Sequence, residues 1–241
     1  MDETHRFLLL QAREPGDEMA AHERDCFARA LQIPTERVVT HDLLSGPPDE
    51  ALCRRYAALL IGGSGDHSVL GGGAFMPPFL DFLSDVVVAK AIPTFASCFG
   101  FQALALAGGG EVVTDEVRAE VGTYEIMLTE EGQADPLFGD LSPSFTAQLG
   151  HKDHVTRLPA GMTRLAFSEQ SSHQALRVDG TPIVATQFHP ELTRQDNTQR
   201  YLRYWEAYGS GDPDNDPVLE RMADSPHSTA LLRRWVALTL K

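Results

Sequence analysis

The sequence predicts an α/β domain. Short apolar runs alternate with amphipathic stretches of helical period, a glycine-rich turn closes one buried run, and a cysteine sits where another run passes into a helical pattern. Phe7 to Leu10 reads as a first strand, Asp17 to Leu31 as a helix, Arg37 to Thr40 as a second strand and Asp49 to Arg55 as a short helix. Ala57 to Ile61 is a buried strand that ends in Gly62-Gly63-Ser64-Gly65, since glycines interrupt a strand. Pro78 to Lys90 predicts a helix, Ile92 to Phe95 a strand and Phe101 to Ala107 a further helix.

From Glu111 onward the pattern turns strand-like, at Tyr124 to Leu128, Phe145 to Leu149, Leu165 to Phe167, Gln174 to Val178 and Ile183 to Phe188. Asp179-Gly180 marks a hairpin between the last two. After Pro190 a helix, a polar turn-rich stretch from Gly209 to Pro217 and a helix near Ser228 to Leu238 are expected. The expected division is a main domain over 1–192, with 193–241 as a helical appendage packed on it.

At 241 residues, with 42% hydrophobic and 22% charged, the chain can bury a full core but has no room for a second large catalytic domain. A formal net charge of −14 opposes binding to nucleic acids or anionic membranes, whose recognition relies on Lys and Arg. No apolar run approaches the roughly 18 residues that span a bilayer, so a cytoplasmic protein is expected. Cys26, Cys53 and Cys98 are an odd, widely spaced set without a CxxC pair, which argues against a disulfide framework and leaves a thiol for chemistry.

Cys98 lies in Phe95-Ala96-Ser97-Cys98-Phe99-Gly100-Phe101-Gln102, where small neighbours permit a tight strand-to-helix turn that exposes a nucleophile. The positive end of the following helix favours the thiolate. An inert buried cysteine is the competing reading. In Gln187-Phe188-His189-Pro190-Glu191, Pro190 keeps His189 extended, so His189 and Glu191 face the same side and the carboxylate can orient the imidazole. A strand end followed by a helix cap is the alternative. Gly62-Gly63-Ser64-Gly65 can aim backbone N–H groups at an oxyanion and, without a following Lys, is no phosphate loop.

Together these elements resemble the class I glutamine amidotransferases, which carry a GxCxGxQ-type elbow, an upstream glycine-rich oxyanion turn and a downstream HPE segment in this order. The resemblance runs from about Phe7 to Leu192 and includes Ala105 to Gly110. His151-Lys152-Asp153-His154-Val155 resembles the H-x-D-x-V loop of the branch that holds GMP synthetase and the γ-glutamyl peptidases. Ala96 stands where the family usually has glycine, and Ser64 where it often has proline.

The resemblance implies a flavodoxin-like three-layer sandwich with a mostly parallel central sheet. It implies Cys98, His189 and Glu191 as the catalytic residues, the N–H groups of Gly63 and Phe99 as the oxyanion hole, and Gln102 and His151 at the substrate's amino-acid end. The implied reaction is hydrolysis of the glutamine side-chain amide, with no cofactor. A γ-glutamyl peptidase and a non-catalytic regulatory protein are the alternatives. The roughly fifty residues after Glu191 leave no space for an acceptor-activating domain of usual size, so a separate synthetase subunit is the expected partner. No metal is expected, because neither His151, Asp153 and His154 nor Asp66 and His67 match a zinc spacing. Tyr201, Tyr204, Trp205 and Tyr208 read as packing, Lys152 as a solvated loop residue and Asp212 to Asp216 as a solvated turn.

Overall fold

The computed structural model describes residues 5–205 and 216–240. Tyr208 and most of the Gly209 to Pro217 stretch, with Asp212, lie outside these residues. The strands are β1 (Phe7–Gln11), β2 (Val38–Asp42), β3 (Ala58–Ile61), β4 (Thr94–Ser97), β5 (Glu111–Thr114), β6 (Glu120–Leu128), β7 (Ser144–His151), β8 (Asp153–Arg157), β9 (Met162–Phe167), β10 (Ala175–Val178) and β11 (Ile183–Thr186). The helices are α1 (Met19–Leu31), α2 (Glu50–Cys53), α3 (Met76–Phe82), α4 (Phe99–Ala107), α5 (Glu130–Ala134), α6 (Arg194–Arg203), α7 (Pro217–Arg221), α8 (Pro226–Thr229) and α9 (Leu231–Thr239).

Nine strands form one sheet in the order β2-β1-β3-β4-β11-β10-β9-β6-β7. The stretch from β2 to β11 is parallel throughout. The antiparallel extension beyond it includes the β10–β11 hairpin expected at Asp179-Gly180. Alternation along β1 divides the core. Leu8 and Leu10 face a layer built from α3 and α4, whereas Phe7 and Leu9 face one holding Phe27 and Leu31 of α1 and Trp235 of α9. Trp235 meets Phe95 of β4 edge-on, with ring centroids 5.6 Å apart. The three-layer α/β sandwich is therefore the observed architecture.

Several elements depart from the expected bounds. The helix expected over 78–90 starts at Met76, where prolines suit a first turn, and widens into a π-helical turn over Leu83–Val88. The strand expected from Ile92 runs instead over Thr94–Ser97, because its register with β11 pairs Thr94 with Ile183 and Ser97 with Thr186. The stretch from His151 to Val155, expected as a loop, is the end of β7 and the start of β8, and β8 pairs with β5 in a separate two-stranded sheet. Such pairing depends on a distant partner strand, which local sequence does not reveal.

Candidate functional site

The strand order turns at β1 and β3, and in open α/β sheets the crevice beyond the carboxyl ends of the strands at such a point is the usual site. Those ends deliver Gln11 at the end of β1 and Arg13 after it, Gly62 and Gly63 after β3, and Cys98 after β4. His189 follows β11 by three residues. A cleft of about 150 Å³ opens here, bounded by Gly63, Cys98, Gln102, His151, His189 and Arg200 among others.

Cys98 occupies the strand-to-helix turn with φ 52 and ψ −101, a conformation that costs a non-glycine residue roughly 1–3 kcal/mol and persists only where the surroundings hold it. Its N–H donates to the Thr186 carbonyl at 2.8 Å, and the Gly100 N–H donates to the Gly62 carbonyl at 3.3 Å, so the turn is tied to β11 on one side and to the glycine turn on the other. A Cβ at Gly100 would stand 2.7 Å from Ile61 and 3.0 Å from the Ala96 side chain. Ala96 therefore fits only because position 100 has no side chain. Cys98 is half-buried, whereas Cys26 and Cys53 are buried and their thiols are pushed up to about 12 and about 11, chiefly by loss of water contact. That contrast leaves Cys98 as the chemically available thiol.

His189 and Glu191 meet as the extended His-Pro-Glu stretch requires, with Nδ1 and Oε1 2.6 Å apart. Burial opposes a charge on His189, but the Glu191 carboxylate and then Cys98 outweigh it and raise the imidazole to about 9. Nδ1 is held by Glu191 and the neighbouring Cys98 adds to the rise, so carboxylate, imidazole and thiol are grouped at one place.

The remaining expected site residues are placed differently. The Gly63 N–H, expected to face an oxyanion, donates to Glu23 Oε1 at 3.0 Å. Phe99 begins α4 directly after Cys98, among the first-turn amides that have no acceptor within the helix. Gln102 lines the cleft, yet its Nε2 donates to the Asp153 carbonyl at 2.9 Å and to Gln187 Oε1 at 3.1 Å, so its amide protons brace the cleft wall. His151 is buried, with Nδ1 2.9 Å from the Asp153 carbonyl oxygen and Nε2 3.0 Å from Glu120 Oε2, so both ring nitrogens are engaged by protein groups. Lys152 pairs with Glu116 at the surface. His67 stands 3.3 Å from Glu14, and no metal-like cluster among the described residues includes Asp66.

A second set of residues was not legible in the spacing. Glu23 is fully buried and receives Arg13 Nη2 at 3.0 Å, Arg13 Nε at 3.2 Å and Gln11 Nε2 at 2.8 Å. Burial alone would raise this carboxyl, but Arg13 and Arg200 hold it below the usual range. Arg200 of α6 lies 3.6 Å from both Glu23 and Glu191 and so connects the glycine turn's anchor to the carboxylate that holds His189. Tyr204 accepts from Arg13 at 2.8 Å and donates to Asp17 at 3.0 Å. Tyr201 and Tyr204 both line the cleft, so these aromatics, expected as packing, also border the site. The one signal that could have found them is the position of Gln11 and Arg13, at and just past the carboxyl end of a central strand.

Comparison with known proteins identifies the family. The family model described as glutamine amidotransferase class-I matches residues 48–206. The A-type subunit of a glutamine-hydrolyzing GMP synthase from Methanothermobacter thermautotrophicus is 31% identical over 164 residues, covering 68% of this chain and 78% of that protein. A glutamine-hydrolyzing GMP synthase of Wolinella succinogenes is 30% identical over 73% of this chain but only 32% of its own length. Among solved structures, a glutamine amidotransferase of Thermotoga maritima superposes with a TM-score of 0.73 at 19% identity, covering 98% of this chain and 99% of that one. One from Methylobacillus flagellatus superposes with a TM-score of 0.71 at 21% identity, covering 98% and 96%. The chain belongs to the class I glutamine amidotransferases.

Proposed function

We propose that this chain hydrolyses the side-chain amide of glutamine through Cys98, His189 and Glu191, releasing glutamate and ammonia. The observation that carries this reading is the half-buried thiol on a strained turn beside an imidazole whose far nitrogen is held 2.6 Å from a buried carboxylate. Cys98 Sγ attacks the amide carbon and forms the C–S bond. His189 passes its proton to the departing nitrogen, which leaves as ammonia. His189 then takes a proton from water as its oxygen attacks the γ-glutamyl thioester, and glutamate departs with the thiolate restored. Glu191 keeps the imidazole aligned throughout.

The oxyanion that forms at each attack needs donors. The Phe99 N–H at the start of α4 is one, and the Gly63 N–H becomes the second once its peptide turns from Glu23 toward the cleft. A turn latched in this way suits an enzyme whose full rate waits for a partner. The relative from Methanothermobacter thermautotrophicus is named as one subunit of a GMP synthase, which supports a separate synthetase chain as that partner and as the route of the ammonia to its acceptor. Residues 193–241 act as an appendage of the same domain that brings Arg200 and Tyr204 to the cleft. The cleft volume of about 150 Å³ is below the roughly 300–1,000 Å³ of sites for drug-sized ligands, which favours glutamine over a larger γ-glutamyl conjugate.

The test is glutamate release from glutamine, with γ-glutamyl dipeptides in parallel, by the wild type and by Cys98→Ala, with and without a relative's synthetase chain. Wild-type turnover on glutamine that falls by about 10⁴-fold or more in Cys98→Ala is expected. Preference for the dipeptides would reassign the chain as a γ-glutamyl peptidase, and silence on every substrate in every mixture would refute the glutaminase reading.

A further inference from the structure

On the opposite flank of the cleft, three side chains that are distant in sequence converge. Glu120 opens β6, His151 closes β7 directly opposite it in the antiparallel register, and His154 lies on β8. Their exposures are 0%, 3% and 1%, and one ligand-type atom from each lies within 4.8 Å of the others. A buried polar atom normally has a partner, yet Glu120 Oε1 and both ring nitrogens of His154 have none. His154 is thus a buried histidine with neither ring nitrogen bonded, beside a carboxylate oxygen in the same condition.

The surrounding bonds are those of an outer coordination shell. The Asp153 carbonyl oxygen can only accept, so His151 Nδ1, 2.9 Å away, carries a proton, and Nε2 is the nitrogen that faces Glu120, 3.0 Å from its Oε2. Gln174 Nε2 donates to Glu120 Oε2 at 2.6 Å and to Ser168 Oγ at 3.1 Å, anchoring the carboxylate through Oε2 while Oε1 has no partner. A histidine anchored through its far nitrogen to a carbonyl, and a carboxylate anchored by an amide, are the orientations that metal sites use.

We propose that Glu120, His151 and His154 bind a divalent transition-metal ion of the zinc class. Two imidazoles and one carboxylate match the borderline character and the nitrogen and oxygen ligands of that ion, and three protein ligands leave a fourth position for water. An ion here ties β6, β7 and β8 together. Gly150, next to His151, places its carbonyl oxygen 4.0 Å from Cys98 Sγ, and the Asp153 carbonyl receives Gln102. The ion therefore stiffens the wall of the cleft without entering the reaction.

The other convergent group, His22, Cys26 and Asp196, lacks this deficit. His22 and Arg29 pair with Asp196, which also caps α6 through Thr193.

The experiment uses untagged full-length protein stripped with a chelator and titrated with Co²⁺ and Zn²⁺, by calorimetry and by the visible absorption of Co²⁺. One equivalent is expected, with a tetrahedral or five-coordinate Co²⁺ spectrum that lacks thiolate charge transfer and is unchanged in Cys98→Ala. The thermal midpoint should rise with free metal. His154→Asn should weaken binding by about 100-fold or more and Gln174→Leu by about 10-fold or more, each with a native circular dichroism spectrum in chelator. Absence of stoichiometric binding to the wild type, sulfur ligation, or binding of unaltered strength in folded His154→Asn would overturn the proposal. Because none of these readouts needs turnover, failure of the glutaminase reading leaves the metal result standing, and the reverse also holds.

Discussion

Two buried carboxylates flank the catalytic cleft in opposite conditions. Glu23 is saturated, since Arg13, Gln11 and the Gly63 N–H fill its oxygens and Arg200 stands behind them. Glu120 is equally buried but has one oxygen without a partner, beside a histidine with two idle nitrogens. A carboxylate surrounded by arginine is finished as a structural element and holds the turn it touches. Glu120, with an oxygen unpartnered beside His154, still has room to accept a ligand. The same residue type thus locks one wall of the cleft and prepares the other.

The largest effect that would sharpen this comparison is on stability. Arg13→Leu strips Glu23 of its closest cation while leaving the charge buried, and should cost about 3–5 kcal/mol in urea unfolding. Glu120→Gln in chelator keeps an acceptor for Gln174 and should cost only about 1 kcal/mol. Equal losses in the two variants would erase the distinction between a saturated and an unsaturated cluster.

Intermediate in size is the pH response of His189. His189 is raised from 6.5 to about 9, so the stabilisation from its charged form is complete below about pH 6.5 and is lost as pH rises through about 9. The alkaline limb of kcat/KM should accordingly fall near pH 9. In Glu191→Gln that limb should move toward 6.5, because a charge that raises His189 has gone. A limb that stays in place would assign the raised value to Cys98 rather than to Glu191.

The smallest expected effect concerns how firmly α6 presents Arg200. Thr193 caps that helix, with its hydroxyl accepting from the Asp196 N–H while the Asp196 carboxylate accepts from the Thr193 N–H at 2.8 Å. Thr193→Ala should cost about 1 kcal/mol in denaturant unfolding, with little change in glutaminase KM. A large loss of activity at preserved stability would mean that Arg200 depends on the cap for its place beside Glu191.

Much of the parallel half was readable locally. Phe7 to Leu10 and Ala57 to Ile61 are apolar runs, and such runs with both faces covered form strands without needing a particular neighbour. Cys98 was legible because its small neighbours announce a strained turn, and His189 with Glu191 because an extended chain before proline places i and i+2 on one face. The segment His151 to Val155 was not, since β8 exists only through pairing with β5, some forty residues earlier in the chain. Gly63 shows the same limit on a smaller scale: glycine makes the turn, but the direction of its N–H depends on Glu23 from α1.

By itself the sequence determined the α/β architecture, the cysteine on its turn and the imidazole with its carboxylate, because each rests on residues within a few positions of one another. Backbone geometry at short range follows from side-chain size, proline and glycine. Only the tertiary structure decided that Arg200 bridges Glu23 and Glu191, that the Gly63 amide is latched, and that Glu120 meets two histidines from strands of different sheets. Those arrangements satisfy charges and hydrogen bonds in a core that water has left. Which groups meet there is set by how the sheet and helices close over them, a property that no local run of residues contains.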